Sequence, residues 1–247
     1  MLKHLPQQTA IPKRIILLTA LVLAFGMLSL PYDSAYSQNK YTLGTLLHST
    51  HDEAILQAFD LMQNNRAEGA LDIIVKRRTR VFFKNLREIS KQVKNYDALS
   101  WISPQGEWVI FVNKKHKNAP PEALAAVIAH EAIHNDPQNS LKEEIVAWHH
   151  EARVWQDFKK QNPELATLDP ENYPLVERLN TIEAAYSNGT LTELVSENQG
   201  YTNLPESSPG FSDTEHALNN PAFDPYHPLA SGAHAASMPK TSQKLTN

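Results

Sequence analysis

An unbroken apolar run from Ala123 to Ala129 sits at the centre of the chain's hydrophobic pattern. It is rich in Ala, Leu and Ile and follows Pro120, Pro121 and Glu122, which predicts a largely buried helix starting near Pro121. The turn-forming run from Asn135 to Ser140 ends it. Ser140 with Glu143 three residues on reads as a capping box that opens a second helix, running to about Lys160 before Asn162-Pro163. Upstream, Thr50 or Ser49 can cap a helix from about His51, with Ile55, Phe59 and Met62 at helical spacing. Residues 66–78 lean to a helix, although Ile73-Ile74-Val75 pulls towards a strand. A strand is expected from Arg80 (RVFFKNL), then a polar helix over REISKQVKNY. Residues 98–103 and 107–113 flank Pro104-Gln105-Gly106 as a β-hairpin, and the second strand is apolar enough to be covered on both faces. Trp101, Trp108 and Phe111 read as core. Residues 170–187 form one more amphipathic helix with Leu175, Leu179, Ile182 and Tyr186 on one face, closed by Asn188-Gly189. The pattern predicts an α+β fold: a small mixed sheet, a buried central helix, and a second helix packed antiparallel to it.

The central helix ends in His130-Glu131-Ala132-Ile133-His134, an H-E-x-x-H sequence. Residues four apart share one helix face, so both imidazoles can reach one metal ion. Glu131 lies about 100° round the helix, where it flanks such an ion as a base for its bound water. Two histidines and a glutamate on a buried helix are costly without a partner. A third ligand is expected on the second helix. With Glu144 as reference, Ala147, Trp148, Glu151, Val154, Trp155 and Phe158 fall within a sector of about 80°. Glu144 and Glu151 therefore lie on the apolar stripe that faces the first helix, Glu143 lies at its edge, and His149 faces away. Glu144 is nearer the connecting loop and is chosen as the ligand. Glu151 is the runner-up, or an acceptor for a ligand histidine's second nitrogen. Asp136 is a lesser candidate for that supporting role. His149 and His150 read as surface residues, and His48 and His51 as exposed residues at a helix start.

H-E-x-x-H followed by a helix carrying E-x-x-A, here His130, Glu131, His134, Glu144 and Ala147, resembles the gluzincin-type zinc metallopeptidases of the zincin superfamily. The resemblance covers about residues 120–155. Many members carry Asp or Asn after that alanine, where this chain has Trp148. It implies a zincin-like fold with Zn2+ held by His130, His134 and Glu144, and Glu131 as general base and acid in peptide-bond hydrolysis. It also implies that one strand of the sheet offers its edge to an extended protein or peptide substrate. Oxyanion-stabilising candidates are His150, Arg153, Tyr173 and Tyr186. The reading from another class is a non-catalytic exported binding or scaffold protein with a structural metal site.

Compartment changes the picture next. Lys3, Lys13 and Arg14 precede an apolar stretch from Ile15 to Leu30, and Ala35-Tyr36-Ser37 fits a small-x-small cleavage rule. Residues 1–37 are therefore read as a signal peptide rather than an uncleaved anchor, residues 38–198 as the metallopeptidase domain, and residues 199–247 as a disordered tail, because Pro, Ser, Asn and Gly dominate there. The mature protein is expected to be periplasmic or secreted and free of the membrane. With no cysteine it has neither a disulfide nor a Cys-linked lipid anchor. Cleavage removes a net +2 and takes the formal charge from −4 to −6, which argues against nucleic-acid binding. The cluster Lys76, Arg77, Arg78 and Arg80 lacks interleaved aromatics and reads as a solvated helix end. His216, His227 and His234 read as tail residues, and Asn188-Gly189-Thr190 is a weak glycosylation sequon.

Overall fold

A computed structural model describes residues 39–134 and 139–208. The expected signal peptide, Asp136, and the tail beyond Ser208 lie outside the described residues. A short helix α1 (Leu43–Leu46) leads into α2 (Glu53–Met62) and α3 (Glu68–Arg77). Strand β1 (Arg80–Lys84) follows, then the hairpin β2 (Ala98–Ile102) and β3 (Trp108–Asn113). The remaining helices are α4 (Pro121–Ile133), α5 (Leu141–Gln161), α6 (Pro174–Ser187) and α7 (Leu191–Ser196).

The sheet has the order β1-β3-β2. β3 pairs in parallel with β1, with Arg80 opposite Val109, and antiparallel with β2, with Ile102 opposite Trp108. Central β3 buries residues of both faces, as its apolar sequence requires: Val109 and Ile110 sit in turn on opposite sides and both are buried. Gly106 takes a positive φ of 81° at the hairpin turn, a conformation that suits a residue without a Cβ. The fold is thus a mixed α+β arrangement with a small three-stranded sheet.

Helix α4 is the hub. Every residue from Ala123 to Ile133 is buried, because α2, α3, α5 and the strands β2 and β3 surround it. Pro121 occupies its first position and Glu122 its first turn, both favourable at a helix N-terminus. On α5 the Ser140 hydroxyl accepts from the Glu143 amide, closing the predicted cap.

Several expectations are corrected. The first long helix starts at Glu53 with Asp52 as its cap; Thr50 instead accepts from the Asp52 amide, just ahead of the helix. REISKQVKNY forms only a 3-10 turn at Leu86–Glu88. The Asn113 side-chain amide donates to the carbonyls of Lys94 and Tyr96, so tertiary bonds claim groups that a helix would have used. The helix expected over 170–187 starts at Pro174, because Asp169 ties Glu171 and Asn172 into a turn. His149 and His150 are buried, not on the surface. Helices α6 and α7 cover the second flank of α5, which is therefore enclosed on both sides. Residues 199–208, assigned to the tail, pack on the folded unit: the Leu141 amide donates to the Pro205 carbonyl and Tyr201 packs against Trp148. Trp101 is 46 % exposed and is not core.

Ile128 is fully buried at the middle of α4, whereas Leu43 on α1 is 61 % exposed. Ile128→Ala is expected to lower the unfolding free energy by about 2–5 kcal/mol, while Leu43→Ala changes it by no more than about 0.5 kcal/mol, as read from urea unfolding.

Candidate metal centre

The C-terminal end of α4 and the N-terminal half of α5 bring His130, His134 and Glu144 into one buried group whose ligand atoms lie within 4.8 Å of one another. His130 Nε2 is 3.6 Å from Glu144 Oε2, and His134 Nε2 is 3.9 Å from Glu144 Oε1. Tetrahedral ligands about 2.0–2.1 Å from zinc would lie roughly 3.4 Å apart, so small movements suffice. Two imidazoles and a carboxylate are a donor set suited to a divalent cation of this kind. Glu131 Oε2 is 4.0 Å from His134 Nε2, beside the group. Of the two carboxylates weighed for the third position, Glu144 faces both Nε2 atoms. Glu151 lies behind His130, its Oε2 3.0 Å from Nδ1.

The supports differ for each ligand. Glu151 fixes His130 so that Nδ1 faces the carboxylate and Nε2 faces Glu144; an Nδ1 proton donated to Glu151 leaves Nε2 able to take a metal ion. Glu151 is itself gripped by Arg178, with Nη1 donating to Oε1 at 2.6 Å and Nη2 to Oε2 at 3.0 Å. His134 Nδ1 lies 3.5 Å from fully buried Glu143 without hydrogen-bond geometry, and the His134 carbonyl accepts from Arg77 Nη1 at 2.9 Å. Glu144 accepts from the Trp148 indole N–H at 3.1 Å and from the Asn139 side-chain amide. The Ser100 hydroxyl donates to the Glu131 carbonyl at 2.5 Å, fastening the motif helix to β2.

The electrostatics favour positive charge on the two imidazoles. Burial pushes the His130 imidazole down, but Glu151, Glu144 and Glu131 outweigh it and raise the group to about 10. His134 is raised too, against its burial, by Glu143, Glu144 and Glu131. Burial pushes Glu144 up, yet the two imidazoles hold it down at about 2. A divalent cation can take the place of those imidazole protons.

The group opens on a cleft of about 1020 Å³. One wall is the edge strand β2 with the residues leading into it, Asn95 to Ile102; the other includes Trp148, Arg178, Tyr201 and Leu204. Trp101 and Trp108, expected in the core, also line this cleft. None of the four residues expected to stabilise an oxyanion does: His150 and Arg153 are buried in α5, Tyr173 packs on the core, and Tyr186 stacks on His149. Tyr201 lines it instead. Its oxygen accepts from the Trp148 indole at 3.1 Å, and burial next to Glu144 raises its hydroxyl well above 10, so it stays a donor. Nothing in the composition of the segment around Tyr201 marked it. Arg178 had a signal: it lies within about 60° of Leu175 and Ile182 on the apolar face of its helix. Arg77 was read as part of a solvated cluster but stacks over Trp108 at 4.7 Å. His48 and His51 are exposed, away from this site. Compared with known protein families, curated proteins and solved structures, the chain matches none of them.

Behind the centre, His149 Nε2 lies 3.0 Å from Thr192 Oγ1, and burial followed by the Arg153 charge lowers its pKa to about 4. The unfolded chain, with His149 near its ordinary value, binds the proton more readily than the folded one. The contribution to stability is complete above about pH 6.5 and is lost as the pH falls through 4, approaching roughly 3 kcal/mol. His149→Gln removes the titration but keeps a polar partner for Thr192. In chelator-treated protein, its unfolding free energy is expected to fall by roughly 3 kcal/mol less than that of the wild type between pH 7 and pH 4, read from urea unfolding at both pH values.

Proposed function

We propose that the chain is an exported zinc-dependent peptidase, with His130, His134 and Glu144 holding the ion and Glu131 acting as general base and acid. The observation that carries this reading is the placement of Glu131: its carboxylate stands 4.0 Å from His134 Nε2, next to the ligand group and on the cleft. Bound zinc supplies Lewis acidity, which acidifies water and polarises a carbonyl. In this reading Glu131 accepts the proton that water gives up and returns it to the leaving amine. Tyr201 offers a phenol donor to the developing oxyanion. Among the described residues, strand β2 presents an unpaired edge along the cleft, which suits an extended peptide that hydrogen-bonds through its main chain. The reading includes the zincin-like fold suggested by the H-E-x-x-H and E-x-x-A resemblance, and export suggested by the N-terminal sequence. Among the described residues, no helix is long and apolar enough to cross a membrane.

A structural ion on a binding or scaffold protein is the competing class. Structural zinc sites are closed by four protein ligands, whereas catalytic ones keep three and an open position. Among the described residues the group has three members and faces a cleft, which favours catalysis.

Glu131→Gln is expected to retain zinc at wild-type stoichiometry and to lose hydrolysis of a general protein substrate by about 10²-fold or more. Glu144→Ala is expected to lose the ion itself, as measured by elemental analysis of the purified full chain. Equal hydrolysis by wild type and Glu131→Gln would end the assignment of the base.

A further inference from the structure

One side chain that is not a candidate ligand joins three residues around the centre: Arg178 meets Glu151, Asp97 and Trp148. Arg178, on α6, donates two hydrogen bonds to Glu151, which holds His130 Nδ1. Its Nε lies 3.1 Å from Asp97 Oδ2. Its guanidinium carbon sits 4.9 Å over the ring of Trp148, whose indole N–H donates to Glu144. The same group therefore abuts the supports of two candidate ligands and, on its third side, the residue that leads directly into β2.

Asp97 is itself a junction. Its carbonyl accepts from the Asn113 amide at the end of β3, at 2.8 Å. Its Oδ1 lies 2.5 Å from His116 Nε2 and 2.9 Å from Lys115 Nζ. These bonds fix where β2 begins relative to the rest of the sheet. Arg178 then fixes that point relative to His130. A planar fork can do both at once: two parallel bonds to one carboxylate and a third donor aimed elsewhere. A lysine cannot, since its ammonium is a point charge on a flexible stem.

We propose that Arg178 is a positioning residue that couples the cleft-edge strand β2 to the back of the metal ligand His130, so that one guanidinium sets both the strand's place and the ion's retention. This rests on the assignment of His130, His134 and Glu144 as metal ligands. Asp97 contacts none of the three ligands in this network, yet its loss weakens the ion's grip because it leaves the Arg178 fork held on one side only.

The test measures zinc affinity of the full chain by competition with a chromogenic chelator, for wild type, Arg178→Lys, Asp97→Asn and the double variant. Lysine keeps a positive charge beside Glu151, so the buried carboxylate is not left alone. Arg178→Lys is expected to bind zinc about 10- to 100-fold more weakly, and Asp97→Asn about threefold or more weakly, as losses of outer-shell partners do. The double variant is expected to match Arg178→Lys alone, because both changes cut the same link. Leu179→Ala, a neighbouring core change on the same helix, serves as the stability control and is expected to stay within about twofold of wild type. Wild-type affinity in Arg178→Lys would overturn the proposal. So would wild-type affinity in Asp97→Asn, single effects that multiply in the double variant, or an equal loss in Leu179→Ala. If Arg178→Lys fails to fold, Asp97→Asn still decides: weakened binding supports the link and unchanged binding removes it. A wild-type chain that binds no zinc would instead overturn the metal-site reading beneath the proposal, whereas loss of only the Arg178 effect leaves that reading standing.

Discussion

Four buried glutamates crowd the junction of α4 and α5, and the compensation of their charge is the constraint on which the rest depends. Glu143 and Glu151 are fully buried, Glu144 is 4 % exposed and Glu131 is 8 % exposed. A buried ionised carboxylate without compensation costs several kcal/mol. Arg178 answers Glu151 directly, while the two imidazoles face the others. The rise of His130 and the fall of Glu144 are one fact seen from two sides: the pocket favours positive charge between its walls. Protons on the histidines meet that demand in part. A divalent cation would meet it more fully, between one ligand atom from each of His130, His134 and Glu144.

Holding so much charge in place requires several elements to converge. Helix α4 carries the two histidines, α5 the four-residue set Glu143, Glu144, Trp148 and Glu151, α6 the clamping arginine, and β2 the serine that ties down the Glu131 carbonyl. The apolar face of α4 beyond the motif anchors this end of the molecule in the core formed with α2, α3 and the sheet. Packing there is dense, and the histidines inherit their rigidity from it. The site is consequently a property of the tertiary fold, although its most telling residues are five consecutive positions.

Much of this was readable from residue patterns because local rules and tertiary demands agree in those places. The uninterrupted apolar stretch before His130 required burial, and the Ser140–Glu143 cap required a helix restart, so the facing pair α4 and α5 followed. The wheel that aligned Glu144 and Glu151 on one stripe separated them by depth alone, and depth is what the structure supplies: Glu144 lies on the Nε2 side, Glu151 on the Nδ1 side. Where the pattern misled, a second neighbour had intervened. His149 and His150 read as surface residues because the wheel of α5 turned His149 away from its apolar stripe, but α6 and α7 enclose that helix's other flank. REISKQVKNY has helix-compatible residues, yet Asn113 captures its carbonyls. Tyr201 sits in a stretch without periodicity, and long-range contacts show that this stretch is folded, among them Trp148 with Tyr201 and Leu141 with Pro205. Such contacts link positions about 50 to 65 residues apart, beyond the reach of any local rule.

The proportions of the cleft bear on what it can receive. Its volume of about 1020 Å³ is at the upper end of the range common for small-ligand pockets, roughly 300–1,000 Å³. A strand edge runs along it, with alternate side chains turned to either face and the main-chain groups of the free side left to a partner. An exposed strand edge is a hazard for aggregation unless it is covered, charged or put to use. Here the residues beside it are Trp101, exposed, and Leu99 and Ile102, half-buried, none of them charged. On the proposed peptidase reading, an uncharged edge beside the buried cluster would take an extended chain, whose carbonyls would pass the cluster in turn. A small rounded ligand would use the cluster but leave the strand without a role.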